Sequence, residues 1–553
     1  MVGIPRRPEG SEDSGYGSIP PSDSPITIEH WVASRDNFRV AADNQLPMPW
    51  RSKIVSADIE WEEIYKRNIQ PQIPGILAKY GLSCGADRLD RRQPWDESYE
   101  TKDVITISTH DTRPRKDWQD AANAVLAVVK DNVPNHLSYP IQVEILNYDK
   151  IYDDTSSALP NDPSIVGPLE QVKSRIVEEV SKSMDNVWSS IAFHMRHRRS
   201  DFDAPRKPTI LVVCRPHSVC DFVEAEDRLL DILNELDISV YLEFVPGKLV
   251  LANPGPKPTP MYVLPQDLPA KPENGSSIGV MGNDTNAGTL GGWLLLNLPR
   301  EKRQIKCAMT CYHVVRGNDN SMTGYTDSHG IHWSDPRGRL TIQYPAALDA
   351  KGARADLEAL CQDSPGSQQL KLQRSMLSAL MSGPGIGKVL LASGHQVRNN
   401  RRVDWALIES PETYSNNRPP QISQGRFRMP PNPHVYNPRP DAKIRQFDYW
   451  KKDEWVVKLG RSTLTSGVVN GMKRVEWGPG YVTEETELMS DYTDMAIDGD
   501  SGSFVVNKQG HLLGMLFAVC KEPTSYHTAY MTPFNEIQAH VKEMTNGGFL
   551  SFD

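Results

Sequence analysis

The chain has 553 residues, roughly three to four times a typical domain, so at least two folded units are expected. Apolar residues make up 38% and charged residues 24%, with 43 prolines and 38 glycines, which excludes a collagen, a coiled coil and a wholly disordered chain. The net charge of −9 argues against a general binder of nucleic acid or anionic membrane.

Residues 1–50 are rich in Gly, Ser, Pro and acid, with too little to bury to offset their ordering entropy, and a disordered tail is expected there. The opening MVGIPRRPEG has two arginines and no apolar run, so no secretory signal is expected and a cytoplasmic or nuclear location is. The longest apolar runs, WLLL at 293–296 and ILVVC at 210–214, fall far short of the ~20 residues of a membrane span. Within the tail, residues 13–18 (DSGYGS) resemble the DSGxxS phosphodegron, in which two phosphoserines supply charge to a ubiquitin-ligase adaptor.

From 51 to 252 the hydrophobic period alternates between strand and helix. Strands are predicted at 104–109, 141–148, 209–214 and 239–245, and helices at 117–130 and 221–236. A longer helix is predicted over 169–197, with Val172, Ile176, Val180, Met184, Val187, Ile191 and Met195 on one face. Two βαβ-like units make this an α/β layer domain. No Gly-rich loop follows any of its strands, so no nucleotide site is indicated, and docking or self-association is its default role. Residues 253–274 are proline-rich and read as an extended linker. After it, residues 275–545 show short β-type runs between Gly, Asn and Asp, with a helical insertion near 345–382 and a short tail at 546–553. The fold class expected is therefore multidomain α+β, with an all-β C-terminal domain after an α/β layer domain.

Three short motifs lie in the last segment. CAMTCYHVVR at 307–316 contains His313, VDWALI at 403–408 contains Asp404, and IDGDSGSFVV at 497–506 contains Ser501 between glycines. Each alone has a bland reading: a core histidine, a strand-end aspartate, a tight turn. A serine hydroxyl is a poor nucleophile at neutral pH, and a histidine base oriented by a carboxylate is the group that activates it.

Taken in the order His, Asp, Ser, the motifs resemble those of the trypsin-like (chymotrypsin-fold) serine proteases, whose chain order differs from subtilisin-type and α/β-hydrolase triads. Residues 310–313 look like the family's T-A-x-H block, 404–407 its D-x-A-L block and 499–503 its G-D-S-G-G/S block. Residues 505–516 (VVNKQGHLLGML) resemble intracellular, HtrA-type members. The resemblance implies a double β-barrel and a serine endopeptidase acting on protein or peptide substrates through an acyl-enzyme. In it Ser501 is the nucleophile, His313 the base, Asp404 its orienter, and the N–H groups of Gly499 and Ser501 form the oxyanion hole. Met495 would lie at the base of the primary pocket, with Phe517, Val519 and Thr528 near its walls; no carboxylate stands there, so an uncharged P1 side chain is expected. No cofactor, metal, nucleic acid or membrane partner is implied. The alternative is a trypsin-like module that is catalytically silent, or cleaves only itself, and acts in regulation or protein interaction.

Departures from the family carry information. In secreted members a cysteine follows the histidine and pairs upstream, but Val314 follows His313 here, and Cys307 and Cys311 would share one strand face, so free thiols are expected. Secreted members also pair the aspartate before the nucleophile with a new α-amino group after cleavage. No R-I-V-G-G site precedes the barrel, so Asp500 needs another partner or a bound activator. GPGIGK at 383–388 departs from the phosphate-loop spacing, and Asp491, Asp494, Asp498 and Asp500 lack the Gly and Glu of a calcium loop.

Overall fold

A computed structural model describes residues 25–49, 52–94, 96, 98–112, 115–133, 136, 139–199, 203–251, 261–317, 320–334, 339–410, 417–418, 442–478, 480–522 and 526–552. The phosphodegron-like segment at 13–18 lies outside them. The chain divides into two compact units, one within 1–157, 163–248 and 521–525, the other within 158–162, 249–520 and 526–553.

The first unit holds two parallel strand pairs. Lys102–Ser108 and Ile141–Leu146 run parallel and are joined through the helix Arg115–Asn132, which buries Trp118, Ala122 and Val125 over Ile105 and Val143. Lys207–Cys214 and Tyr241–Pro246 form the second pair through the helix Phe222–Leu233, whose N-cap Asp221 accepts from the Glu224 N–H at 3.0 Å. Runs such as VITI and ILVV are β-branched or apolar throughout because both faces of a parallel strand are covered.

Several expectations need correction. The helix expected over 169–197 spans Pro163–Ser183 and is followed by the strand Trp188–Arg198, antiparallel to Lys207–Cys214. Asn186 at φ 62° ends the helical path, and the aromatic and β-branched residues beyond it favour a pleated surface. Ile191 and Met195 kept a helical spacing by coincidence. The tail expected over 1–50 is structured from 26, where Ile28–Arg35 is a helix burying Ile28 and Trp31 and Arg39–Ala41 is a strand. The linker expected over 253–274 is packed from 261 on, with Met261, Tyr262 and Leu268 buried. The terminal tail expected over 546–553 contains the strand Phe549–Ser551, paired with Gly292–Leu298. In each case a few large apolar side chains supply enough burial to outweigh the ordering cost that composition alone suggests.

The second unit has two antiparallel β systems. The first is an eight-stranded sheet in the order Gly288–Thr289, Ser277–Val280, Thr341–Gln343, Gly387–Ala392, Ala406–Glu409, Arg303–Thr310, Gly292–Leu298, Phe549–Ser551. In the second, Trp455–Leu459, Leu464–Val469, Tyr481–Met489, Thr528–Pro533, Leu512–Lys521 and Phe504–Asn507 pair in that order and the last returns to the first, closing a barrel. Of the two barrels expected, only the second closes among the described residues. The insertion is a pair of helices, Ala347–Asp363 and Gln368–Ser382, whose Ala350, Ala353, Leu357 and Leu377 pack with Met261 and Leu268.

Candidate active site

The first sheet supplies a histidine and an aspartate. Strand Arg303–Thr310 ends at Cys311, and the short helix Tyr312–Val315 begins there, carrying His313. Asp404 stands between strands Arg401–Val403 and Ala406–Glu409, the second of which pairs with Arg303–Thr310. Adjacent strands thus bring the two side chains together. Asp404 Oδ2 is 2.5 Å from His313 Nδ1, and Oδ1 accepts the His313 backbone N–H at 3.1 Å. This two-point contact fixes the ring plane and keeps the proton on Nδ1, which leaves Nε2 as the acceptor. Nε2 is buried with no hydrogen-bond partner. Burial acts to raise the Asp404 pKa, but the charge and hydrogen bond of His313 outweigh it and hold the carboxyl below its ordinary range.

The second barrel supplies the serine. Residues 497–503 turn before strand Phe504–Asn507, with Gly499 and Gly502 each at φ +97°, a region that favours glycine. The Gly499 carbonyl accepts from Thr289 Oγ1, and the Ser501 carbonyl accepts from the Thr289 N–H, both at 2.8 Å. Among the described residues neither the Gly499 N–H nor the Ser501 N–H has an acceptor. Two free donors on one tight turn are what a developing oxyanion requires. Ser501 is fully buried, and its Oγ donates to the Phe517 carbonyl at 2.9 Å rather than to His313.

Asp500, whose partner the sequence left open, is paired with Lys458 from strand Trp455–Leu459. It also accepts from Thr463 Oγ1 at 2.5 Å and from the N–H groups of Ser462 (3.0 Å), Thr463 (3.1 Å) and Ile497 (3.1 Å). Both charged side chains are fully buried. Burial pulls the Lys458 pKa below its ordinary value, with the Asp500 charge and hydrogen bond opposing. Sequence reasoning missed Lys458; the signal available was a lone lysine inside the apolar run WVVKL.

The residues assigned to a substrate pocket are all buried. Met495 and Val519 pack in the barrel core with Val456, Leu488 and Ala529. The Met495 N–H donates to the His527 carbonyl at 2.9 Å, and Thr528 Oγ1 donates to Glu487 at 2.8 Å. The Phe517 carbonyl accepts the Ser501 hydroxyl. For a metal, Cys311 Sγ with the ligand atoms of His313 and Asp404 lies within 4.8 Å. Burial, however, raises the Cys311 thiol pKa well above its ordinary value, its Sγ–H donates to the Leu516 carbonyl at 3.2 Å, and the other two residues are committed to each other. This set does not fit a thiolate metal site.

Three solved structures illustrate the likeness to known proteases. A glutamic-acid-specific serine protease that uses a histidine triad in substrate binding is 12% identical, with a TM-score of 0.28 over 51% of this chain and 100% of that one. Protease A of Thermobifida fusca is 11% identical, with a TM-score of 0.28 over 51% of this chain and 98% of its own. The chymotrypsin of Cellulomonas bogoriensis is 11% identical, with a TM-score of 0.27 over 51% and 97%. At these scores the likeness carries no argument about chemistry. No curated protein matches the chain. The profile of Peptidase family S64 matches residues 253–547, more than half of the sequence, and the chain therefore belongs to that peptidase family.

Proposed function

We propose that this peptidase is a serine endopeptidase of trypsin-like type in which Ser501 attacks the substrate carbonyl. His313 Nε2 takes the Ser501 proton and later returns it to the leaving amine, Asp404 orients the imidazole, and the Gly499 and Ser501 N–H groups receive the oxyanion. The observation that carries this reading is the buried His313–Asp404 contact with Nε2 unpartnered, in the same unit as a glycine turn presenting two free N–H donors. Before attack the Ser501 hydroxyl has to leave the Phe517 carbonyl, to which it donates at 2.9 Å. The uncharged P1 preference and the pocket of Met495, Phe517, Val519 and Thr528 belong to the proposal, as does a protein or peptide substrate. So does an intracellular site of action, nearer HtrA-type enzymes than secreted ones; its support is that all seven cysteines are free thiols.

A second reading, a silent or latent module, is favoured by one fact: Ser501 is buried and bonded away from its base. A fluorophosphonate probe separates the two. The catalyst labels at Ser501, and Ser501→Ala and His313→Ala both lose labelling. Folded wild-type protein that stays unlabelled rejects the catalytic reading.

A further inference from the structure

The inserted helix pair reaches the turn that carries the oxyanion donors. Asp349, in the first turn of helix Ala347–Asp363, is buried and paired with Arg461, whose Nε donates to Oδ2 at 2.5 Å while Nη2 donates to Oδ1. Ser277 Oγ also donates to Asp349. Arg461 is fully buried, and its guanidinium lies so close to Gly499 that a Cβ at 499 would collide with it. Its Nη1 donates to Ser462 Oγ at 2.9 Å, and that hydroxyl donates to the Asp498 carbonyl at 2.7 Å, the residue before Gly499. The backbone of Arg461 is pinned as well. Its N–H donates to Thr289 Oγ1, the same hydroxyl that donates to the Gly499 carbonyl, and its own carbonyl accepts the Tyr262 N–H at 2.7 Å. Residues 261–269 are in turn seated by the insertion. Gln373 donates to the Pro265 and Leu268 carbonyls at 3.2 and 2.9 Å, and Leu268 packs beside Leu357 and Leu377.

A backbone N–H lies in the plane of the peptide that joins its residue to the one before, so the Gly499 N–H points wherever the 498–499 peptide is turned, and a glycine at positive φ has no Cβ of its own to hold that plane. Something outside residue 499 must do so. From the juxtaposition of Asp349, Arg461 and Gly499 we infer that the helical insertion acts as a built-in clamp on the oxyanion turn, with Asp349 and Arg461 as positioning residues. The insertion would then control rate rather than serve as a tolerated surface addition. Both residues are buried, so the clamp is expected to leave substrate binding unchanged; what changes is how well the Gly499 N–H meets an oxyanion that exists only after attack.

This inference rests on the serine-protease reading above, and the same probe distinguishes the two. Saturable fluorophosphonate labelling of the full chain gives kinact and KI separately. Asp349→Asn keeps the shape of the side chain and removes its charge, and a fall in kinact of tenfold or more with KI within twofold of wild type is expected. Arg461→Lys keeps the charge for Asp349 but loses the planar fork that reaches Gly499 and Ser462, and the same split is expected from it. Thermal melts of both variants report any loss of stability, and Arg461→Lys decides the matter if Asp349→Asn fails to fold. A wild type that labels while both folded variants keep kinact within twofold, or label faster, overturns the clamp alone. A wild type that does not label takes the functional reading down and the clamp with it.

Discussion

Two buried carboxylates, Asp404 in the first sheet and Asp500 in the closed barrel, sit on either side of the proposed chemistry and are satisfied in opposite ways. Asp404 meets a histidine, a partner whose charge can come and go, and that histidine keeps one nitrogen without a partner. Asp500 meets a lysine and four further donors. In the proposed mechanism the first arrangement changes state, with the carboxylate behind the ring opposing the positive charge of the imidazolium. The second is built to stay, since a buried ion pair with its remaining lone pairs hydrogen-bonded fixes the turn that ends at Ser501. An aspartate before the proposed nucleophile thus does not require a cleaved N-terminus to neutralise it; a lysine in the neighbouring strand fills the place.

This contrast can be broken most sharply at Asp404. Asp404→Asn keeps the volume but reverses which His313 nitrogen carries the proton, and a drop of about 10⁴-fold in the fluorophosphonate labelling rate is expected with a nearly unchanged melting temperature. If the rate falls less than tenfold, Asp404 is structural and the two carboxylates are alike. At Asp500 the expected damage is first to stability. Lys458→Met leaves the carboxylate buried without its cation, at a cost of about 3–5 kcal/mol in urea unfolding, whereas the double change Lys458→Met with Asp500→Asn recovers most of that loss. A single Lys458→Met that costs nothing would show that the pair does not hold the turn.

A smaller effect concerns a third carboxylate, Glu476, in the second unit. It accepts from the Tyr530 hydroxyl at 2.6 Å and lies 3.5 Å from Arg474. Burial pushes its pKa up from 4.5 to about 7, with the Arg474 and Arg402 charges and the Tyr530 hydrogen bond opposing and the Glu485 charge adding to the rise. The folded chain therefore holds this proton more tightly than the unfolded chain. Its contribution to stability is complete below pH 4.5 and is lost as the pH rises through about 7, a difference of up to about 3 kcal/mol. Chemical unfolding at pH 5 and pH 8 measures it, and Glu476→Gln is expected to flatten the slope. An unchanged slope in that variant assigns the pH dependence to other groups.

The candidate site was legible because the proposed nucleophile, base and orienter each sit in a short local signature: Thr310 to His313, Asp404 to Leu407, Gly499 to Ser503. Glycine at 499 and 502 is likewise forced locally, by backbone conformation. Strands such as Lys102–Ser108 and Lys207–Cys214 were readable for the same reason, since a β-branched run between turn residues has one favourable form. The helix expected over 169–197 failed beyond 183 because apolar residues four apart fit a helix face and, when neighbours between them are also apolar, a buried strand equally well.

The sequence by itself determined which residue types could do chemistry here and that the last 300 or so residues hold them, because the proposed nucleophile and base impose local motifs, and the peptidase-family match covers the same segment, 253–547. Only the tertiary structure decided who neutralises Asp500, what presses on Gly499 and how residues 261–269 are seated. Lys458, Arg461 and Asp349 lie 42, 38 and 112 positions from the residues they hold or pair with, Asp500, Gly499 and Arg461. Contacts of that range leave no periodicity in the chain; they exist only once two β systems and an inserted helix pair have packed.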